Sequence, residues 1–218
     1  MTGIDYLRLY DYRLRGTDQA ARQAVWAEIA VYLHQRIGSP ARVLDVGAGR
    51  GEFISAVPAA ERWAVDLHGH GGYPGDAVTT VLGGILDADL PCGYFDGVLV
   101  SNMLEHLPAQ ETVGAVLAAI RDAMAPGGRV AVMGPNFRYC AREYFDCADH
   151  VLALTHVAAA EHLHAAGFSV GTVVPRFLPY SFRSRFPASP ALTRSYLHHP
   201  VLWRLAGKQF LVTGTRPG

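Results

Sequence analysis

The stretch Val43-Leu-Asp-Val-Gly-Ala-Gly-Arg-Gly-Glu-Phe53 carries the residue types best suited to hold a ligand. An apolar run reaches Asp45 and then breaks into Gly47, Gly49 and Gly51. Glycines at alternate positions let the chain turn sharply and leave no Cβ between main chain and ligand. A strand that feeds such a loop is the nucleotide crevice of open α/β sheets. The spacing is not the dinucleotide fingerprint Gly-x-Gly-x-x-Gly, because the last glycine comes one residue early. Asp45 would also repel a phosphate and suits a ligand with a cationic end. Asp66 closes a second apolar run about twenty residues beyond the loop, where a carboxylate can accept both hydroxyls of a ribose.

Histidine is the natural general base near neutral pH. His34 falls on an N-terminal helical pattern, His162 and His164 on a surface helix, and His68 and His70 in a glycine-rich loop. His150 and His156 are better placed, in Tyr144-Phe-Asp-Cys-Ala-Asp-His-Val-Leu-Ala-Leu-Thr-His156, at the carboxyl ends of the strands where such sheets bind ligands. Asp149 adjoins His150 and Asp146 lies one helical turn before it, so either carboxylate could orient that imidazole. His156 follows Thr155, a natural N-cap.

Periodicity supplies the elements that must position these residues. Residues 17–37 read as an amphipathic helix, and strands and helices then alternate. Strands are expected at Arg42–Val46, Arg62–Leu67, Thr79–Leu82, Phe95–Ser101, Arg129–Gly134, Phe168–Val174 and Gln209–Thr215. Helices are expected to begin at Gly51–Val57 and to span Gln110–Met124, before a Pro126-Gly-Gly128 stop, and Thr155–Ala166. The pattern implies an α/β, doubly wound, Rossmann-like seven-stranded sheet, mostly parallel, with an antiparallel C-terminal edge strand. One domain accounts for all 218 residues. It comprises an N-terminal helical cap (1–38), a ligand-binding core (40–174), an insert (175–207) and the last strand (208–218).

Four ordered motifs over roughly residues 40–175 resemble the class I S-adenosylmethionine-dependent methyltransferases, in particular their small-molecule branch. They are Val43–Gly51, Trp63-Ala-Val-Asp-Leu67, Phe95-Asp-Gly-Val-Leu-Val-Ser-Asn-Met-Leu-Glu-His-Leu-Pro108 and Ala125-Pro-Gly-Gly-Arg-Val-Ala-Val-Met133. The resemblance implies S-adenosylmethionine as cofactor, held by Asp45, Gly47, Ala48, Gly49, Asp66, Leu67, Leu86, Asp87, Ser101, Asn102 and Met103. Within that set it implies an apolar contact to adenine at Leu86 and an acceptor for the exocyclic amine at Asp87. The Leu-Glu-His-Leu-Pro turn recurs across the family whatever is methylated. His106 therefore reads as a cofactor-side or packing residue, and stands beside His150 and Asp149 among the catalytic candidates.

The acceptor is expected to be a small molecule methylated on a hydroxyl, with a sugar or sugar-containing natural product leading and N-methylation or a non-catalytic cofactor-binding role as alternatives. From Phe168 onward the chain holds no Asp or Glu but six arginines and Lys208, its only lysine. Arginines interleaved with aromatics suit a phosphorylated or lipid-linked sugar, but would also serve an oligomer contact or a membrane-surface patch. Acceptor contacts are accordingly expected from Asn136, Tyr139, Tyr144, His156, Arg176, Tyr180 and Arg183.

With 17% charged residues and zero formal net charge the composition is that of a soluble globular domain. No apolar run is long enough to span a membrane and no signal peptide is visible at Met1, so a cytoplasmic monomer or homodimer is expected. Three cysteines without a Cys-x-x-Cys unit read as free thiols. No acidic residue ends the fourth or fifth strand, so no metal is expected. The Asn-Pro-Pro-Tyr type motif is absent, so no nucleic acid is expected either.

Overall fold

The computed structural model describes residues 4–68, 73, 77–180 and 189–218. Arg183 and His70, both considered above, lie outside the described residues. Among the described residues the strands are β1 (Arg42–Val46), β2 (Glu61–Asp66), β3 (Val78–Leu82), β4 (Phe95–Ser101), β5 (Met124–Pro135), β6 (Ser169–Val174) and β7 (Gln209–Thr215). They form one seven-stranded sheet in the order β3-β2-β1-β4-β5-β7-β6. β1 to β5 pair in parallel, and β7 runs antiparallel to both neighbours. The antiparallel C-terminal strand expected from the sequence is therefore present. Its place is one strand in from the edge, which β6 occupies. The chain reverses direction across the sheet between β1 and β4, the switch point where open α/β sheets bind ligands.

The helices are α1 (Tyr6–Leu14), α2 (Gln19–Arg36), α3 (Gln110–Ala123), α4 (Phe137–Cys140), α5 (His156–Ala165), α6 (Pro190–Leu197) and α7 (Pro200–Ala206). Strand side chains alternate between faces, so each buried strand feeds two cores. Leu44, Val98, Val100, Val130 and Val132 pack with Val113, Leu117 and Ile120 of α3 and Leu163 of α5. Val43, Leu99, Ala131 and Met133 pack on the opposite side with Ile29 and Leu33 of α2 and with Leu197 and Trp203 of α6 and α7. Asp45 sits between Leu44 and Val46 and is thereby sent to the α2 side, where it is 3% exposed.

Two local expectations are corrected. The segment after Gly51 does not become a regular helix. Ser55 N–H bonds to the Gly51 carbonyl, and Ala56 and Val57 N–H to that of Phe53. Pro58 then keeps Val57 out of helical geometry. Pro126-Gly-Gly128 is not a gap between helix and strand, because β5 already starts at Met124, with a register shift against β4 between Phe95 and Gly97. In the 175–207 insert, Ala191–Leu197 form most of α6, and α7 follows it directly. Pro190 and Pro200 occupy the first turns of α6 and α7, where a missing N–H costs nothing. Helix α1 was not anticipated at all. Among the described residues no helix is long and apolar enough to cross a membrane.

Thr155 caps α5 as expected, its Oγ1 accepting from Ala158 N–H at 3.2 Å. Replacing it (Thr155→Ala) should lower unfolding free energy by about 1 kcal/mol, read as a lower urea midpoint with an unchanged denaturant slope.

Candidate functional site

The exits of β1, β2 and β4 meet around two adjoining cavities. The larger, about 320 Å³, is lined by Val46, Gly47, Val65, Asp66, Leu67, Gly84, Ile85, Leu86, Asp87, Asn102, Met103 and His106, among others. The smaller, about 110 Å³, is bounded by Asp45, Ala48, Glu52, Phe53 and Ser101 and shares Gly47, Gly49 and Asn102 with its neighbour. All eleven residues expected to hold the cofactor line one cavity or the other.

The loop between β1 and Gly51 has its glycines for two different reasons. Gly47 has φ +72°, and a Cβ there would lie 2.6 Å from Met103 Cγ. Gly49 has φ +55°, and a Cβ there would meet nothing within 4 Å, because it would project into the open cavity. Asp66 ends β2 and braces this loop. One carboxylate oxygen accepts from Gly49 N–H at 2.8 Å and the other from His68 N–H at 2.9 Å. Each oxygen keeps a further lone pair toward the cavity. Burial holds the Asp45 carboxyl well above the ordinary carboxylate range, and the charges of Glu52 and Asp66 push it the same way. A cationic ligand beside it would offset that cost. Asn102 leaves β4 with φ +49°, a left-handed conformation that asparagine tolerates better than most residues.

Helix α1 closes the cavities from above. Tyr6, Tyr10 and Leu14 recur at four-residue spacing, so one face of the helix lines the site. That stripe, with Asp5 as N-cap, was the signal in the sequence that could have revealed α1. The helix is tied down by an ion pair from Asp11 to Arg50 at 2.6 Å, by Tyr6 stacked on His68, and by Arg13 on Asp149. Arg22 of α2, also unanticipated, lines the smaller cavity and bonds Glu52 at 2.6 Å.

Asp149 and His106 line the larger cavity together. His106 Nδ1 lies 2.9 Å from the Asp149 carbonyl oxygen and 3.5 Å from its carboxylate. A carbonyl only accepts, so this contact assigns the proton to Nδ1 and leaves the lone pair on Nε2. Burial pushes the Asp149 carboxyl up, but the Arg13 hydrogen bond and the charges of His106 and Arg13 outweigh it and hold it below its ordinary value. Burial also raises the neighbouring Glu105 carboxyl, partly offset by His106. His150 is not part of the cavity lining. Its ring packs 5.0 Å from both His106 and Tyr144 and 6.4 Å from Tyr180. Among the described residues its buried Nδ1 has no hydrogen-bond partner, and burial, with the His106 charge, pushes its pKa down to about 4. Glu105, His106 and His150, and likewise Cys147, Asp149 and His150, come within metal-ligand reach of one another. At Asp149, however, the positive charge is already supplied by Arg13.

Of the acceptor contacts expected further along the chain, the described ones lie outside both cavity linings. Asn136 is fully buried. Its amide donates to the Pro175 carbonyl at 2.7 Å and meets His156 Nδ1 at 2.9 Å, while its oxygen caps α4. Tyr144 donates to the Leu152 carbonyl and accepts from Leu154 N–H. Tyr180 reaches Cys147 Sγ at 3.4 Å. Arg176 caps the end of α7 through the Gly207 and Leu205 carbonyls and lies over the Tyr139 ring.

Residues 19–171 match a family model described as a methyltransferase domain. The chain belongs to the methyltransferase-domain family. It is 29% identical over 161 residues to a protein described as a nonribosomal peptide synthetase, CymA, of Salinispora arenicola. That match takes in 64% of this chain but only 2% of the synthetase. Among solved structures it superposes on an S-adenosylmethionine-dependent methyltransferase from Archaeoglobus fulgidus with a TM-score of 0.62 and 19% identity, over 97% of this chain and 100% of that one. It also superposes on one from Mesorhizobium loti with a TM-score of 0.58 and 17% identity, over 87% and 98%.

The cavity fits S-adenosylmethionine, the cofactor named for the solved methyltransferases above. The space in front of Gly49 is open, Asp66 presents its carboxylate to the cavity, and Leu67, Ile85 and Leu86 offer an apolar surface. The wall is rich in carboxylates. Of its arginines, Arg22 pairs with Glu52 and Arg50 with Asp11, which suits a ligand without phosphates.

Two outcomes follow from this geometry. Asp66→Ala should raise the dissociation constant for S-adenosylmethionine by about 10- to 100-fold, the loss of a charged hydrogen-bond acceptor, measured by titration calorimetry. His150 is held neutral in the folded state, with a pKa of about 4 against 6.5 in the open chain. The unfolded chain thus takes up this proton first, so stability present above pH 6.5 is lost as pH falls toward 4. The thermal midpoint of the native protein should therefore fall more steeply across that window than that of His150→Gln.

Proposed function

We propose that this methyltransferase transfers a methyl group to a hydroxyl of a small molecule in the cytoplasm, with the His106–Asp149 pair as its base. The observation that carries the reading is the pair itself: it lines the cavity, with Nδ1 of His106 held by Asp149 and Nε2 left to accept a proton. When bound, S-adenosylmethionine supplies a methyl group activated by a sulfonium. The residues named above would hold it, with Asp66 toward the ribose, Asp45 on the cationic side and Leu86 and Asp87 toward the base. His106 then takes the proton that the hydroxyl gives up, and Asp149 stabilises the imidazolium that results. His150, with its depressed pKa and its place behind His106, supports the pair by packing. Two of the described arginines from this stretch are committed elsewhere. Arg176 is engaged by α7, and Arg194 pairs with Glu28 on the surface. The acceptor class therefore stays at small hydroxyl compounds, sugars among them.

A second reading, N-methylation of an amino-acid-like acceptor, is favoured by the similarity to a segment of a peptide synthetase. Incubation with methyl-labelled S-adenosylmethionine and a panel of small alcohols, sugars and amines separates the two, since the shift of the labelled carbon distinguishes O- from N-methyl products. His106→Gln should lower kcat by about 10²- to 10⁴-fold while leaving cofactor affinity unchanged. Turnover retained in this variant would remove His106 as the base.

A further inference from the structure

The carboxylate that supports His106 is itself held from the far end of the chain. Asp149 is buried, its side chain 1% exposed, and one oxygen is gripped by Arg13 of α1, 136 residues away in sequence. The other oxygen stands 3.5 Å from His106 Nδ1 and has no other partner among the described residues. A buried carboxylate without a counter-charge must bind a proton or draw one onto a neighbour. For Asp149 that neighbour is His106.

We propose that Arg13 is a positioning residue, which neutralises Asp149 from the roof helix so that His106 keeps its Nε2 lone pair and can act as base. The inference rests on His106 being the base. The groups that face this imidazole make the need for Arg13 plain. Asp149 lies against Nδ1, and the buried Glu105 carboxylate lies 3.9 Å from Nε2. The His150 ring packs at 5.0 Å, and Tyr10 reaches in from α1 beneath the Arg13 guanidinium. Two carboxylates thus favour the imidazolium and one guanidinium opposes it. Without that guanidinium, the two carboxylates act on the imidazole unopposed. Arg13 shares its helix with Tyr6, Tyr10 and Leu14 of the cavity wall. Closing the wall and freeing the base are therefore one event.

The test needs no acceptor. In imidazole-labelled protein, the His106 resonances are identified by their absence in His106→Gln and titrated by NMR. Arg13→Gln should raise the pH at which His106 gains its proton by about one unit, and Arg13→Lys should restore most of the native value. In an Asp149→Asn background the Arg13→Gln change has nothing left to act through and should move the titration by less than a third as much. An unchanged His106 titration in Arg13→Gln, or a full shift that persists in Asp149→Asn, overturns the proposal. Retained turnover in His106→Gln instead removes the base reading, while the titration still decides whether Arg13 governs the pair.

Discussion

The end of β1 cannot be spaced differently from the ends of its neighbours. Gly47 N–H bonds to the Val65 carbonyl of β2 at 2.8 Å, and its missing side chain admits Met103, which follows β4. Any Cβ there would force the β1 and β4 exits apart by pressing on Met103. With all three exits at one level, a single wall receives Asp45 from β1, Asp66 from β2 and Asn102 from β4. The left-handed backbone at Asn102 is held from the β5 side, where β4 stays paired through Ser101 and Asn102 N–H bonds to the Met133 carbonyl at 2.8 Å.

The chain's zero net charge conceals a sorted distribution. Carboxylates gather around the cavities, whereas most arginines serve the frame. Arg42 bonds Asp96 at the start of β4, Arg121 holds the Ala166 carbonyl at the end of α5, and Arg194 joins α6 to α2 through Glu28. Exposed contacts of this kind add little to stability. Their larger effect is to leave the cavity wall negative, which discriminates between a cationic ligand and a phosphate.

This division explains what could be read from sequence. The cavity wall was legible because its signals are positional: glycines at a strand exit, and acids that end strands. Such positions follow from the sheet once the strands are found. The rest was written in side-chain polarity, which says that a residue needs a partner without saying which. Asn136, Tyr144 and Arg176 look like residues awaiting a ligand, yet each finds its partner in a main-chain carbonyl. His106 and His150 differ little as letters. Only the fold shows that one reaches the cavity and the other packs behind it. Helix α1 stayed hidden because its apolar stripe is aromatic and half exposed, with Leu14 its one buried residue.

That same sparseness gives α1 a distinctive character. A nine-residue helix held largely by ion pairs and a ring stack, with almost no apolar burial of its own, opens at a small fraction of the free energy needed to unfold the sheet beneath it. It can therefore serve as a door while the β-sheet remains the wall. Because Arg13 on this same helix is also the counter-charge of Asp149, any opening of α1 uncovers the cavity and strips a buried carboxylate of its cation together.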